Sequence, residues 1–278
     1  MRIFITGFSG QLGQALATAL AGETLYGPDH RALDITDLAA TKRAIADFAP
    51  DVVIHAAAMT HVDECALHPE QAYRVNALGT RNVALACQIV GATLAYISTN
   101  EVFNGFKTEP YWEYDLPDPI NAYGRSKLAG EWFTQTLLRR FYIIRTAWLY
   151  SRSGANFLHK ILRLADERGA LQVVTDEVSS PTYAPDLAQA IAQLIRTECY
   201  GIYHLVNEGA CSRFALARRA LELTGRQHVT IRPISRFQYR RPSTPPAYTA
   251  LRNFAGAELG IRLRPWEEAL AEFLLQET

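Results

Sequence analysis

The chain has 278 residues, 49% of them hydrophobic and 20% charged, with 28 basic side chains matched by 28 acidic ones. That is chain and apolar content enough for a full core in one large domain or in a main domain with a smaller lobe, and it excludes a disordered polypeptide. The N-terminal run MRIFIT breaks at Gly7, too early for a signal-peptide core or a membrane span, and the four cysteines (Cys65, Cys87, Cys199, Cys211) form no C-x-x-C pair. A cytoplasmic protein with reduced thiols, no disulfide framework and no membrane association is expected.

In chain order, RIFITG reads as a strand and QLGQALATALAG as an amphipathic helix closed by Gly22. ETLYG is a second strand, DLAATKRAIADFA a helix capped by Thr36, and DVVIHAAA a third strand. One long helix, EQAYRVNALGTRNVALACQIVG, leads to the strand TLAYIST. Then come a helix around Tyr123, the strand FYIIRTAWLY, a helix from about Asn156 to Glu167 and the strand LQVVTD. Beyond this the pattern loosens, and the proline-rich pieces SSPTYAP and RRPSTPPAY read as loops and covering elements. The alternation predicts an α/β fold: a doubly wound, mostly parallel sheet with right-handed crossovers, residues 1–150 forming its core and 151–278 mainly a smaller C-terminal lobe, with later segments returning to the sheet.

TGFSGQLG places Gly7, Gly10 and Gly13 between the first strand and the first helix. Glycine there permits a tight reversal, close approach of backbone N–H groups to a pyrophosphate, and close packing of helix on strand, while the helix N-terminus adds partial positive charge. In this strand-turn-helix setting the motif reads as a Rossmann-type dinucleotide site. The choice of nicotinamide cofactor stays open. Counting from the glycines reaches Asp34, an acid suited to the adenosine ribose of NAD. The second strand ends near Tyr26, however, so the ribose-facing loop is GPDHR, where Asp29 favours NAD while His30 and Arg31 suit a 2'-phosphate. NADP is favoured, with NAD the alternative.

NAYGRSKLAGEW carries Tyr123 and Lys127, in a chain with only four lysines. The i, i+4 spacing puts both on one helix face, where an ammonium lowers the pKa of a phenol that is otherwise a reluctant acid near 10. That pairing suits general acid-base chemistry, and the compact lysine can also bond cofactor ribose hydroxyls. The bland alternative is a half-buried tyrosine beside a snorkelling lysine; position after the fourth strand of a dinucleotide fold favours catalysis.

Together GFSGQLG, DVVIHAAAMTHVDECA, VNALGT, STNEVFNG, PINAYGRSKLAGE, RTAWLY, SPTYAPDLA and LRPWEEAL resemble the extended short-chain dehydrogenases/reductases, and among them the dTDP-4-dehydrorhamnose reductase family, over nearly the whole length. The resemblance implies a catalytic set of Thr99, Tyr123 and Lys127, with Thr99 orienting the keto oxygen and Tyr123 supplying its proton. It assigns Gly7, Phe8, Ser9, Gly10, Gln11 and Leu12 to the cofactor, the pyrophosphate falling on Gly7, Gly10, Gln11 and Leu12. Asp34 and Ile35 are placed beside the adenosine, and Ala56, Ala57, Ala58 and Asn76 along the cofactor. Thr60, Val62 and Trp148 match positions that face the sugar.

The implied reaction is NAD(P)H-dependent reduction of the C4 keto group of a dTDP-4-keto-6-deoxy-L-hexose. Nucleotide-sugar epimerases and other 4-ketoreductases are close alternatives, as is a non-catalytic subunit resembling the regulatory subunit of methionine adenosyltransferase. Two departures stand out. Asn100 and Glu101 replace the Asp-Tyr common in the family, so sugar contacts there are expected to differ, and Gln14 and Ala15 replace the helix acid through which some members bind a metal. No metal is expected, including at His61, Asp63, Cys65 and His68. Residues 213–264 hold eleven arginines against Glu222 and Glu258, which fits either a solvated surface or an anion site. No base-stacking module accompanies them, so nucleic acid is not expected. Arg240 and Arg241 are the candidates for the substrate's diphosphate, and a homodimer is an open option.

Overall fold

A computed structural model describes residues 1–275, so the last three residues of the expected 151–278 lobe lie outside the described residues. The first half runs β1 (Arg2–Thr6), α1 (Gln11–Ala19), β2 (Thr24–Tyr26), α2 (Leu38–Phe48), β3 (Val52–His55), α3 (Val62–Leu67), α4 (Pro69–Tyr73), α5 (Thr80–Val90), β4 (Thr93–Thr99), α6 (Ala122–Leu137) and β5 (Phe141–Thr146). The second half adds β6 (Leu149–Tyr150), α7 (Phe157–Arg168), β7 (Ala170–Val174), β8 (Val178–Ser179), β9 (Thr182–Tyr183), α8 (Ala184–Leu194), β10 (Gly201–His204), β11 (Cys211–Ser212), α9 (Arg213–Leu223), β12 (Thr230–Ile234), α10 (Ala255–Glu258) and α11 (Trp266–Leu275).

Six strands form the main sheet in the order β10-β5-β4-β3-β1-β2, every neighbouring pair parallel. Strands such as VVIH are buried on both faces, which is why they read as unbroken apolar runs. One face packs Ile3, Ile5, Ile54 and Ile144 against Leu16 of α1 and Leu187 and Ile191 of α8. The other packs Phe4, Val53, Leu94 and Ile143 against Ile45 of α2 and Val83 of α5. Chain direction away from the sheet's middle reverses between β1 and β3, and such a switch point opens a ligand crevice at the strands' carboxyl ends. The smaller lobe has its own apolar cluster, with Tyr150, Tyr183, Leu216, Trp266 and Phe273 at its centre.

Several boundaries differ from the sequence reading. Helix α1 ends at Ala19 with Leu20 as its C-cap, and Gly22 lies beyond it in open space. The cap of α2 is Asp37, which accepts from the Ala40 N–H at 2.9 Å; the neighbouring Thr36 instead donates its own N–H to Asp34. The expected long helix after β3 is interrupted by a π-helical segment, Arg74–Gly79, between α4 and α5. FYIIRTAWLY breaks into β5 and β6 at Ala147 and Trp148, the latter at φ 43°. The apparent looseness of the second half conceals regular elements: β10 pairs with β5 in the main sheet and α8 packs against α1. Its strands of two to five residues are too short to show a period of their own.

Helix α6 is fixed to the sheet by a buried ion pair. Arg145 of β5 donates through Nε and Nη2 to the two carboxylate oxygens of Glu131, at 2.9 and 2.7 Å, and Ser98 of β4 donates to the same carboxylate at 2.5 Å. Both charged side chains are almost fully enclosed, at 2% and 0% exposure, so removing either one leaves an uncompensated buried charge. Arg145→Met should therefore cost about 3–5 kcal/mol of unfolding free energy in a denaturant titration; a loss below about 1 kcal/mol would show that the pair does not hold the helix.

Candidate active site

The crevice begins at the first turn. Gly7 has φ 70°, and a Cβ there would lie 2.8 Å from the backbone nitrogen of Ala57, so only glycine lets the turn close on the end of β3. A Cβ on Gly13 would meet the Gly7 and Phe8 carbonyls at 2.4 Å, which sets α1 directly against the turn. Gly10 is the N-cap of α1 and, having no side chain, leaves the first N–H groups of the helix uncapped; no acid stands in that turn to compete with an anion. Ser9 and Gly10 are exposed, and Leu12 is buried in the core, so it can offer a ligand only its backbone. Gln11 reaches across to the segment after β6, accepting from Ser151 at 3.2 Å and donating to the Ala155 carbonyl. These features fit a dinucleotide's pyrophosphate.

Phe8 packs on Gly27, where a Cβ would come within 2.1 Å of its ring, so the loop after β2 abuts the glycine turn. In that loop Asp29 binds the N–H groups of Arg31 and Ala32 at 2.8 and 2.9 Å, forming a local turn that exposes His30 and Arg31. Asp34 is exposed, and its carboxylate accepts from Thr36 N–H. Ile35 is 6% exposed, packs under Gly79 and offers its carbonyl to Asn82, so it could border an adenosine only through its backbone. Asn76 is also turned from the expected role. Its amide is taken up by the Met59 backbone at 2.8 and 3.0 Å and by Ser126 at 2.9 Å, so it clamps the Ala56–Ala57–Ala58 segment to α6 rather than offering a free edge to a cofactor.

Below the turn, His55 bridges Thr6 at 2.7 Å and Thr80 at 3.1 Å, and burial pushes its pKa down to about 3. It is a neutral strut. Thr6 in turn accepts from Ala57 N–H at 3.2 Å, fixing the crevice wall.

The catalytic candidates converge at the end of β4. Asn121 caps α6 by accepting from Gly124 N–H at 2.8 Å, which starts the helix at Ala122, one residue before Tyr123. Gly124 lets that helix lie against the Glu101 carbonyl, which a Cβ would approach to 2.0 Å. Tyr123 and Lys127 thus sit in the first two turns of α6, as their spacing predicts, and Tyr123 lies near enough to Thr99 for that hydroxyl to act on the phenol, lowering its pKa. Lys127 is 2% exposed; its ammonium donates to the Ile97 carbonyl at 2.6 Å and lies 4.2 Å from the Tyr96 ring centre.

Burial outweighs the expected electrostatic coupling. Burial, with the Glu101 charge adding to it, raises the Tyr123 pKa, while burial brings the Lys127 pKa down to about 7, with Glu131 opposing. Among the sugar-facing candidates, Thr60 is exposed, Val62 opens α3, and Trp148 is half-buried two residues past Thr146, the partner of Thr99 across β4 and β5. Asn100 is 3% exposed, donates to Thr249 at 2.6 Å and Ser179 at 3.2 Å, and accepts from Thr99 at 3.2 Å, so its side chain ties the end of β4 to the β8 region. Glu101 keeps a more open position, one oxygen accepting from Asn121 at 2.6 Å, and burial raises its pKa.

The arginines expected at a diphosphate are also redistributed. Arg241 pairs with Asp63 at 2.9 Å and lies 3.8 Å from Glu177, and Ser243 binds the same Asp63, so this segment is latched onto α3. Arg240 is exposed and makes no hydrogen bond or ion pair among the described residues. Asp63 being so engaged and Cys65 buried, the His61–His68 stretch assembles no ligand set, and no group of three or more metal-binding side chains occurs among the described residues. No helix of the described residues is long and apolar enough to cross a membrane. Sequence reasoning missed Arg213 and Glu177, which flank the same crevice; the mark it could have used is a basic residue directly after Ser212, a helix cap.

A dinucleotide crevice at a parallel-sheet switch point, with a tyrosine and lysine one helical turn apart beside it, defines a short-chain dehydrogenase/reductase of the extended kind. The chain belongs to the RmlD substrate binding domain family, whose model matches residues 1–278. It is 41% identical over 277 residues to a dTDP-4-dehydrorhamnose reductase of Mycolicibacterium smegmatis, covering 98% of this chain and 84% of that one. It is 37% identical to the spore coat polysaccharide biosynthesis protein SpsK of Bacillus subtilis, over 100% and 98% of the two chains. The crystal structure of a dTDP-4-dehydrorhamnose reductase from Bacillus anthracis in complex with NADP superposes with a TM-score of 0.96 at 39% identity, covering 99% of each chain.

The Lys127 environment has a measurable signature. Its folded pKa of about 7 lies below the unfolded value, so between pH 7 and 9 the unfolded chain carries a proton there that the folded chain has released. Raising the pH then stabilises the fold through this group, an effect fully developed above the unfolded pKa and absent below about 7. Relative to Lys127→Met, the wild type should gain about 2 kcal/mol from pH 7 to pH 9 in denaturant titrations; parallel pH profiles would place a charged lysine at this position.

Proposed function

We propose that the protein reduces the C4 keto group of a dTDP-4-keto-6-deoxy-L-hexose, taking dTDP-4-dehydrorhamnose to dTDP-L-rhamnose, with NADPH as the preferred reductant. The observation that carries this reading is the meeting of Thr99, Tyr123 and Lys127 at the strand ends beside the glycine turn. The uncapped N–H groups of α1 would hold the pyrophosphate, and exposed His30 and Arg31 would face a 2'-phosphate, which NADH lacks. When bound, the cofactor supplies the hydride.

The protein's own part is proton supply and alignment. Tyr123, its pKa raised, keeps its proton at neutral pH and is a donor rather than a base. Thr99 lies beside the phenol, its hydroxyl opposing the rise in the Tyr123 pKa, and a keto oxygen set between the two hydroxyls would accept the proton. Lys127 takes up a proton as the pH falls through about 7, and in that form it favours the phenolate left after transfer. Trp148 and Val62 would contact the sugar, and exclusion of water strengthens each of these interactions.

The test is the consumption of NADPH and NADH with the dTDP-4-keto sugar, followed by absorbance. Stoichiometric oxidation, faster with NADPH, is expected, and Tyr123→Phe should slow turnover by roughly 10²–10⁴-fold while NADPH still binds. Interconversion of sugars without net oxidation would identify an epimerase instead, and a Phe variant with near-normal turnover would remove Tyr123 from the proton step.

A further inference from the structure

One cation in the crevice is left without a partner by the reading above. Arg213 is the first residue of α9, after the cap Ser212, which accepts from Ala215 N–H at 3.0 Å. A positive side chain at that end of a helix opposes the helix dipole, so the position is unfavourable for stability. Its backbone N–H is satisfied by the Glu177 carbonyl at 3.1 Å. Its guanidinium lies 3.5 Å from the Trp148 ring centre and 4.8 Å from that of Phe157, held between two aromatic faces. Stacking fixes the plane of the group but uses none of its N–H donors, and among the described residues none of them makes a hydrogen bond or a close ion pair.

The surroundings explain why a charge can remain there. Burial lowers the Arg213 pKa to about 10, against the opposing influence of Glu177 and Glu101, so the group is still a full cation at neutral pH. Asp63 is matched by Arg241 and Ser243, and burial pushes both Glu101 and Glu177 toward their protonated forms. A planar, immobilised guanidinium with five free donors is preorganised for a bidentate oxyanion. Trp148, its platform, holds a left-handed backbone conformation (φ 43°), strained for an aromatic residue, which places the indole past the end of β5.

We infer that Arg213, seated on Trp148, is the residue that receives the diphosphate of the sugar nucleotide, the role that the sequence assigned to Arg240 and Arg241. This rests on the nucleotide-sugar reading and adds to it how the substrate is held: Trp148 presents one face to the cation and its exposed edge to the sugar, so a single aromatic residue registers phosphate against hexose. Arg241, by contrast, latches its segment to α3.

The experiment measures dTDP, thymidine and NADPH binding calorimetrically on the wild type, Arg213→Met and Arg213→Lys, alongside steady-state kinetics. Met keeps the length and apolar contact of the stem, and Lys keeps the charge without the planar fork. Arg213→Met should weaken dTDP binding and raise the sugar-nucleotide KM by about tenfold or more, leaving thymidine and NADPH affinity unchanged and kcat within about threefold. Arg213→Lys should recover only part of the loss. A dTDP affinity equal to wild type in Arg213→Met or Arg213→Lys overturns the inference alone if the wild type reduces the sugar nucleotide. A wild type that binds NADPH but not dTDP overturns it together with the functional reading.

Discussion

The Glu131–Arg145 pair is the constraint on which the catalytic geometry depends. A parallel sheet supplies strand ends, but a helix crossing one of its faces can slide or rotate unless something polar fixes it, because apolar contacts are not directional. Here Glu131 lies eight residues along α6 from Tyr123 and is gripped at two oxygens by a strand arginine, with Ser98 one residue before Thr99 as a third contact. The same carboxylate therefore ties together the strand that carries Thr99 and the helix that carries Tyr123 and Lys127. Its enclosure makes the geometry specific, since displacing either charge would leave the other buried without its counter-ion.

Around that fixed point the site is assembled from short polar ties. Asn76 joins the segment after β3 to α6, His55 joins β1 to α5, and Asn100 joins the end of β4 to the β8 region. Each is a buried side chain whose hydrogen-bonding groups are taken by protein partners. Their function is to hold backbone, which leaves the outward-facing groups to ligands: helix N–H groups at Gln11 and Leu12, the Tyr123 phenol, one oxygen of Glu101, and the Arg213 guanidinium.

Much of this was legible in the sequence because it rests on local patterns. The glycines of TGFSGQLG, the continuous apolar strands and the four-residue spacing of Tyr123 and Lys127 report turn, sheet and helix face directly, and each lies where its pattern puts it. What the sequence hid is set by distant pairing. Asn76, Asn100 and Ile35 look like ligand residues beside their motifs, yet their side chains turn inward to partners such as Ser126 and Thr249 that are 50 and 149 residues away. Arg241 was chosen for its charge, which the sequence shows, while its capture by Asp63 depends on a contact across 178 residues. The raised Tyr123 pKa has the same origin, since burial, not spacing, dominates it and the lowered Lys127 pKa alike.

The most direct measurement of the central claim is single-turnover transfer of deuterium from 4-deuterated NADPH to the keto sugar, in the wild type and in Glu131→Gln. If the buried carboxylate sets the position of the catalytic helix, the wild type will deliver one deuterium to C4, and the folded Gln variant will bind NADPH normally but transfer at least about tenfold more slowly. Transfer at the wild-type rate in that variant would contradict the account.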